Sequence, residues 1–437
     1  MKSRYGIAGI SYVIPAATFA STLRRGGTVE LRSIVKFQPT SQLKIMTLAE
    51  NENGGDFPWE IGVFDAHCHP TDTMSSIAEI PRMKATTLTV MATRGEDQDL
   101  VLQTAAAHSG LDTAINGSST GRALPCFGWH PWFSHQILDD HPDSSDSDGA
   151  PRSERKKAHY RKVLTPSPDD DFISTLPEPK PLSQLISEIR SRLTTHPLAL
   201  VGEVGLDRAF RLPNSWKPQD LENRDDGMTP GSREGRKLSP HRVQPEHQKA
   251  VLKAQLQLAG ELRRPVSVHS VQAHGAVFDL FKTLWSGHER KVQSRRDRQR
   301  RRSVADAHAE SEAEDEGKQA SPQPDPPLPF PPRICMHSYS GPVNPVNQFL
   351  HPSNPSDVYF SFSTVINFSG PSVQKVMDVL KVLPDDRILI ESDLHTAGPP
   401  MDDLLEQVAR QICELRGWTL HQGVQQLADN WKRFVYG

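Results

Sequence analysis

Four cysteines, Cys68, Cys126, Cys335 and Cys413, lie scattered through 437 residues, and none belongs to a CxxC pair. This scatter excludes a disulfide framework and reads as reduced thiols in an intracellular protein. No apolar run reaches the roughly 18 residues needed to span a bilayer. The net charge of −3 provides no chain-wide basic field, so any contact with nucleic acid has to be local. Neither a Gly-rich phosphate loop nor a separate nucleic-acid module is visible. Hydrophobic content is low at 36%, and 36 prolines exceed average usage. Together these point to an ordinary core interrupted by long irregular insertions. The length suits one large α/β domain or two to three smaller ones.

The first 50 residues stand apart. From Met1 to about Lys44, the cations Lys2, Arg4, Arg24, Arg25, Arg32, Lys36 and Lys44 face a single acid, Glu30, in a segment rich in Ser, Thr and Ala. Three readings stay open: a mitochondrial transit peptide, a disordered tail, or an upstream extension with translation starting at Met46.

Beyond it, residues 51–437 carry eight short apolar runs: 61–67, 86–93, 123–130, 198–207, 264–270, 333–340, 358–367 and 387–395. Near-continuous apolar strands suit a parallel sheet covered on both faces. Amphipathic stretches at 183–193, 248–264, 276–284, 372–383 and 402–417 lie between them, with a short helix expected around 74–82. Eight strands alternating with helices predict an α/β fold, a (β/α)8 barrel. Three polar insertions break the repeat, at about 139–181, 211–245 and 286–332, and composition predicts them disordered or loosely ordered. The last holds the arginine block 295–302, readable as a nuclear localisation signal or a solvated loop, and the acidic block 310–316.

Polar residues interrupt the apolar runs near their C-terminal ends. They are His67, His69, His130, Glu203, Asp207, His269, His337 and Asp393. In a barrel that rim is where the βα loops build an active site. His67 and His69 are two apart, so both point to one side and Cys68 to the other. Singly, an HxH pair, a strand-end histidine or an N-capping Asp is ordinary. Jointly, four histidines and two carboxylates at one end of five strands match a site for two divalent ions. In that division His67, His69 and Asp393 hold one ion, His269 and His337 the other, and Glu203 bridges. Two such ions roughly 3.5–4 Å apart lower the pKa of a shared water and clamp a phosphoryl displacement. Asp393 is the expected proton acceptor.

The motifs "FDAHCH", "FGWHP", "VGEVGLD", "VSVHS", "CMHSYSG" and "LIESDLH", in this order, resemble the TatD family of metal-dependent deoxyribonucleases. The tail "LADNWKRFV" (427–435) is similar to the family's closing segment. The resemblance implies a TIM barrel, two divalent metals (zinc, magnesium or manganese) and hydrolysis of DNA from strand ends, as a 3'–5' exonuclease. Its metal ligands fall on His67, His69, Glu203, His269, His337 and Asp393, and its "GxHP" histidine on His130, read as a contact to a substrate phosphate. The chain departs from the family after Asp393, where Leu394, His395 and Thr396 replace a small residue, Pro and Tyr. The insertions look most like a fungal subgroup named for interaction with a tetratricopeptide-repeat subunit, which implies such a partner. Two alternatives stay open: a related barrel hydrolase of another ester or amide, and an interaction scaffold that keeps the barrel. Cytoplasm, nucleus and, through the N-terminal stretch, mitochondrion are the compartments these features suggest.

Overall fold

Each apolar run carries a strand in the computed structural model. They are β1 (Phe64–Cys68), β2 (Thr87–Met91), β3 (Ala123–Phe127), β4 (Leu200–Asp207), β5 (Val266–Val271), β6 (Arg333–Met336), β7 (Asp357–Phe362) and β8 (Ile388–Ile390). All neighbours pair in parallel and in chain order. β8 returns to β1 just above the strand ends: the Asp393 N–H donates to the His67 carbonyl (3.1 Å) and the His69 N–H to that of Leu394 (2.8 Å). The Asp65 carboxylate adds a further link by accepting from the Ser392 N–H (3.0 Å). The result is a (β/α)8 TIM barrel.

The structure describes residues 55–109, 122–140, 151–217, 224–292, 327–370 and 372–437, with the short pieces 113–115, 118–120 and 221–222. The N-terminal basic stretch and the arginine and acidic blocks lie outside the described residues, and the targeting readings lie there with them.

The helices are α1 (Gln98–Ala107), α2 (Arg152–Val163), α3 (Asp170–Thr175), α4 (Leu182–Thr195), α5 (Pro245–Glu261) and α6 (His274–Trp285). Then follow α7 (Val343–Phe349), α8 (Thr364–Asn367), α9 (Val373–Val382), α10 (Pro399–Arg416) and α11 (Leu420–Tyr436). The helix expected at 74–82 is a 3-10 helix, Met74–Arg82, that contains Pro81.

Why these runs are continuously apolar follows from their two buried faces. Outward residues such as Leu88, Val90, Val201, Val266, Val268 and Phe360 pack with Ile189, Leu256, Phe281 and Leu405 of the helices. Inward residues Phe64, Met91, Leu124, Leu200, Tyr359 and Leu389 meet Trp431 and Phe434 of α11, which crosses the N-terminal end of the barrel. Trp431 stacks on Phe64 with centroids 4.3 Å apart, and its indole N–H donates to Thr89 Oγ1 (3.3 Å). The buried Asn430 amide donates to the carbonyls of Asp385 (2.7 Å) and Ile388 (2.8 Å). The lower half of the barrel is thereby filled, and only the C-terminal rim is left for chemistry.

Two of the three insertions differ from expectation, because they are largely built of defined elements. Within 139–181 lie α2 and α3, and Leu164–Thr165 pairs antiparallel with Arg242–Val243 of the next insertion. Tyr160, Val163, Leu164, Ile173, Leu212 and Val243 form a small separate core that joins both insertions. Few apolar residues fall in any one window, but they meet across sequence distance, where composition cannot count them. The 211–245 segment forms an arm whose far part, Thr229–Gly231, is fastened to the rim. Buried Arg94 donates to the carbonyls of Pro230 (2.8 Å) and Thr229 (3.2 Å) and to Asp72 (2.8 Å). The Thr229 N–H donates to the Asp72 carbonyl at 2.9 Å.

Candidate metal centre

The local geometry of β1 sets the first two candidate ligands. Its pairing with β2 slips between Asp65 and Cys68. Beyond the slip, His67 and His69 bring their Nε2 atoms to 3.1 Å, while Cys68 turns into the outer apolar layer and its thiol reaches the Thr89 carbonyl (3.5 Å). On β4, Glu203 faces the same space. Gly205 lets β4 approach β5 closely: a Cβ there would stand 2.0 Å from the His269 carbonyl oxygen. Asp393 sits above β8 with φ +54°, a left-handed conformation that Asp tolerates better than most residues.

Glu203 is the hub. Its Oε2 lies 3.4 Å from Nε2 of His67 and 3.4 Å from Nε2 of His69. Its Oε1 lies 2.8 Å from His269 Nδ1, 2.8 Å from His337 Nε2 and 3.1 Å from His130 Nε2. Asp393 Oδ1 stands 3.7 Å from His69 and 3.9 Å from His67. The seven residues given a role from the sequence therefore meet in one place, and Asp207, the eighth singled out, stands behind His269. Among the described residues their ligand atoms form three overlapping sets: His67, His337 and Asp393; His67, His69 and Glu203; His130, Glu203 and His269.

Burial and the shared Glu203 carboxylate set the electrostatics of the cluster. Burial drives the His69 imidazole well below its usual range, leaving a lone pair. Burial would do the same to His269 and His337. Hydrogen bonds to Asp207 and Glu203 instead raise His269 to about 9, and Glu203 holds His337 well above its usual range. Glu203 itself is buried, yet His130, His337 and His67 keep its carboxyl well below the ordinary value. Nitrogens at 3.1 Å (His67 to His69) and 3.2 Å (His269 to His337) around one carboxylate need shared protons or a divalent ion between them. The donor set, imidazole and carboxylate, fits such an ion.

Partners behind the histidines fix their orientation. His67 Nδ1 meets Ser267 Oγ at 2.8 Å. His269 Nε2 donates to Asp207 Oδ2 (3.1 Å), which also accepts the Trp132 indole N–H (2.6 Å). His337 Nδ1 faces Glu391 at 3.6 Å, and that carboxylate accepts the Ser338 N–H (2.8 Å) and the Ser361 hydroxyl. His130 differs: its Nδ1 accepts the Trp132 N–H (3.1 Å), and burial lowers its pKa to about 4. The neutral ring therefore carries its proton on Nε2 and is a donor.

The model of the TatD related DNase family matches residues 64–436. This chain belongs to the TatD family. Its curated relatives include the Cut9-interacting protein scn1 of Schizosaccharomyces pombe, 36% identical over 375 residues, 85% of this chain and 98% of that protein. An uncharacterised deoxyribonuclease of Saccharomyces cerevisiae is 25% identical over 390 residues, again 85% of this chain and 98% of that one. A solved TatD homologue from Escherichia coli K12 gives a TM-score of 0.47 at 17% identity, covering 86% of this chain and 98% of its own.

The TatD family is metal-dependent, and at the rim of this chain stand His, Glu and Asp side chains that could hold a metal ion. The sequence reading left Asp207 without a role and did not single out Glu391. A signal for Glu391 existed, since it precedes Asp393 by two residues as His67 precedes His69. The Trp132 indole and the Asp72–Arg94 fastening had no such signal, because both depend on loops folding back. His395, the departure from the family pattern, donates from Nδ1 to Asp72 Oδ2 (2.7 Å) and stacks on His69 at 5.2 Å between centroids.

Proposed function

We propose that this chain is a metal-dependent phosphodiesterase that removes nucleotides from DNA strand ends with a binuclear divalent centre. The observation that carries the proposal is the division of Glu203, whose two oxygens face separate sets of imidazoles. One ion would be held by His67, His69 and Asp393, the second by His269 and His337, with Glu203 shared. Bound divalent ions lower the pKa of a water and offset charge developing on a phosphoryl group.

The chain's own side chains supply the rest. Burial, reinforced by Glu391 and Glu203, raises the Asp393 carboxyl above its ordinary value, which makes it a better proton acceptor than an exposed Asp. In this structure the His130 Nε2 proton faces Glu203 Oε1 (3.1 Å), and a ring presenting a donor rather than a lone pair suits a substrate phosphate oxygen better than a metal. Asp207 keeps His269 presenting Nδ1 inward. Depth supports an end rather than the middle of a strand, because His67, His69, His130 and Glu203 are all buried and the arm walls one side of the rim. The family and the name of the budding-yeast relative support DNA as the substrate class.

Metal analysis of the purified full chain, paired with Glu203→Ala, tests this reading. Wild type is expected to hold about two divalent ions and to cut DNA, as binuclear hydrolases do. The variant is expected to lose metal and activity while its circular dichroism is kept. A wild-type chain that holds no divalent ion and cuts neither single- nor double-stranded DNA under several metals overturns it. A second role, binding a protein partner, is favoured by the name of the fission-yeast relative, a Cut9-interacting protein. It is separable, because a partner interaction would survive Glu203→Ala.

A further inference from the structure

The root of the 211–245 arm sits against the metal centre. Asp207, the last residue of β4, holds His269, and the Arg208 N–H that follows donates to the Val271 carbonyl at the end of β5 (3.1 Å). The next turn is rigid. Asp207 Oδ1 accepts the N–H groups of Ala209 (2.7 Å) and Phe210 (2.9 Å), and Arg242 donates to the carbonyls of Arg208 (2.9 Å) and Ala209 (2.5 Å). Phe210 stacks on Trp132, with centroids 4.5 Å apart and planes 9° from parallel, and Trp132 in turn lies edge-on to His130 at 4.7 Å. This turn presents two guanidinium groups, Arg208 and Arg211, both exposed.

The other arginines of the arm are used by the fold. Arg224 pairs with Glu234 (2.6 Å), Arg236 donates to the Arg233 carbonyl and covers Trp216, and Arg242 closes the turn just described. Among the described residues, the side chains of Arg208 and Arg211 make no hydrogen bond or ion pair. Two uncompensated cations on a rigid turn beside a phosphodiester centre are positioned for anions of an extended substrate. We propose that Arg208 and Arg211 bind backbone phosphates of the single DNA strand whose end occupies the metal centre. The inference rests on the phosphodiesterase reading and adds to it a substrate track at the root of this chain's own insertion.

The test uses the full chain, a 5'-fluorescent single-stranded oligodeoxynucleotide, and kcat/KM measured across a range of salt concentrations. Each phosphate neutralised on a single strand contributes about 0.7 to the slope of log affinity against log salt. Arg208→Ala/Arg211→Ala is expected to raise KM about tenfold and to flatten the slope by about 1.4. Arg208→Lys/Arg211→Lys restores most of the slope, since a point charge suffices for counterion release. Lys375→Ala/Lys381→Ala on α9 changes charge equally away from the rim and leaves the slope at the wild-type value. Arg211→Ala alone, a change of one charge, is expected to flatten the slope by about 0.7, and a single variant with the wild-type slope counts against Arg211.

A double variant with wild-type KM and slope overturns the assignment. Bis(4-nitrophenyl) phosphate, a diester with no flanking phosphates, separates this failure from failure of the hydrolase reading. Wild type that cuts the small diester while the arginine variants leave oligonucleotide KM and slope unmoved refutes only the arginines. Wild type that cuts neither substrate refutes both.

Discussion

Asp207→Asn is the sharpest perturbation of the centre that leaves every proposed metal ligand in place. Asp207 accepts from four donors: the Ala209 and Phe210 N–H groups on Oδ1, and the Trp132 indole and His269 Nε2 on Oδ2. An amide has one oxygen and one NH2. If the oxygen keeps the two backbone donors, the NH2 faces the Trp132 N–H, donor against donor, and forces His269 to accept at Nε2. The His269 proton then moves to Nδ1, the atom 2.8 Å from Glu203, and removes the lone pair a metal would use. If the amide flips, two backbone donors are left facing an NH2. Neither orientation satisfies all four. Losing such an orienting partner typically costs 10–100-fold in metal affinity, roughly 1.4–2.8 kcal/mol, and a buried unsatisfied donor costs about 1–3 kcal/mol of stability. Titration of chelator-stripped protein with Zn2+ or Mn2+ is expected to show at least a tenfold weaker site, with Tm lowered by a few degrees. Affinity within twofold of wild type would refute the assignment of His269 as a ligand held in its tautomer by Asp207.

Two further outcomes follow from residues away from the ligands. Burial pushes His135 down to about 3, so the folded protein excludes a proton that the unfolded chain binds below about 6.5. Its contribution is intact above that value and lost as pH falls toward 3, at about 1.4 kcal/mol per unit. Urea unfolding at pH 7 and pH 5 should show wild type losing about 2 kcal/mol more than His135→Asn, and equal losses would refute this account. Trp431→Ala empties the inner end of the barrel beneath Phe64 and is expected to cost about 3–5 kcal/mol. Thermal unfolding should register that loss while the residual folded fraction keeps its metal content, and metal lost in parallel would contradict the separation of plug from rim.

The barrel was legible because its strands are buried on both faces, so each registered as an apolar run, and in six of the eight a His or an acid near the C-terminal end marked the rim. The histidine pair followed from strand periodicity alone. What periodicity could not show is that β1 slips its register between Asp65 and Cys68, so that Phe64, Ala66, His67 and His69 all serve the barrel interior. A strict alternation would have put His67 and Ala66 on opposite sides, and only the slip reconciles the inner apolar residues with the inner ligands. The polar insertions misled for a related reason. Composition averages over a window, whereas Tyr160 and Ile173 find Leu212 and Val243 from a different insertion, and Arg94 is buried by carbonyls of a loop more than a hundred residues away. Such order rests on sparse, long-range contacts between polar segments, and here those contacts hold the loop that carries His130 and the arm that carries Arg208. The parts hardest to read from the sequence are therefore the loops around the rim, because a rim loop is shaped by what it folds back upon rather than by its own pattern.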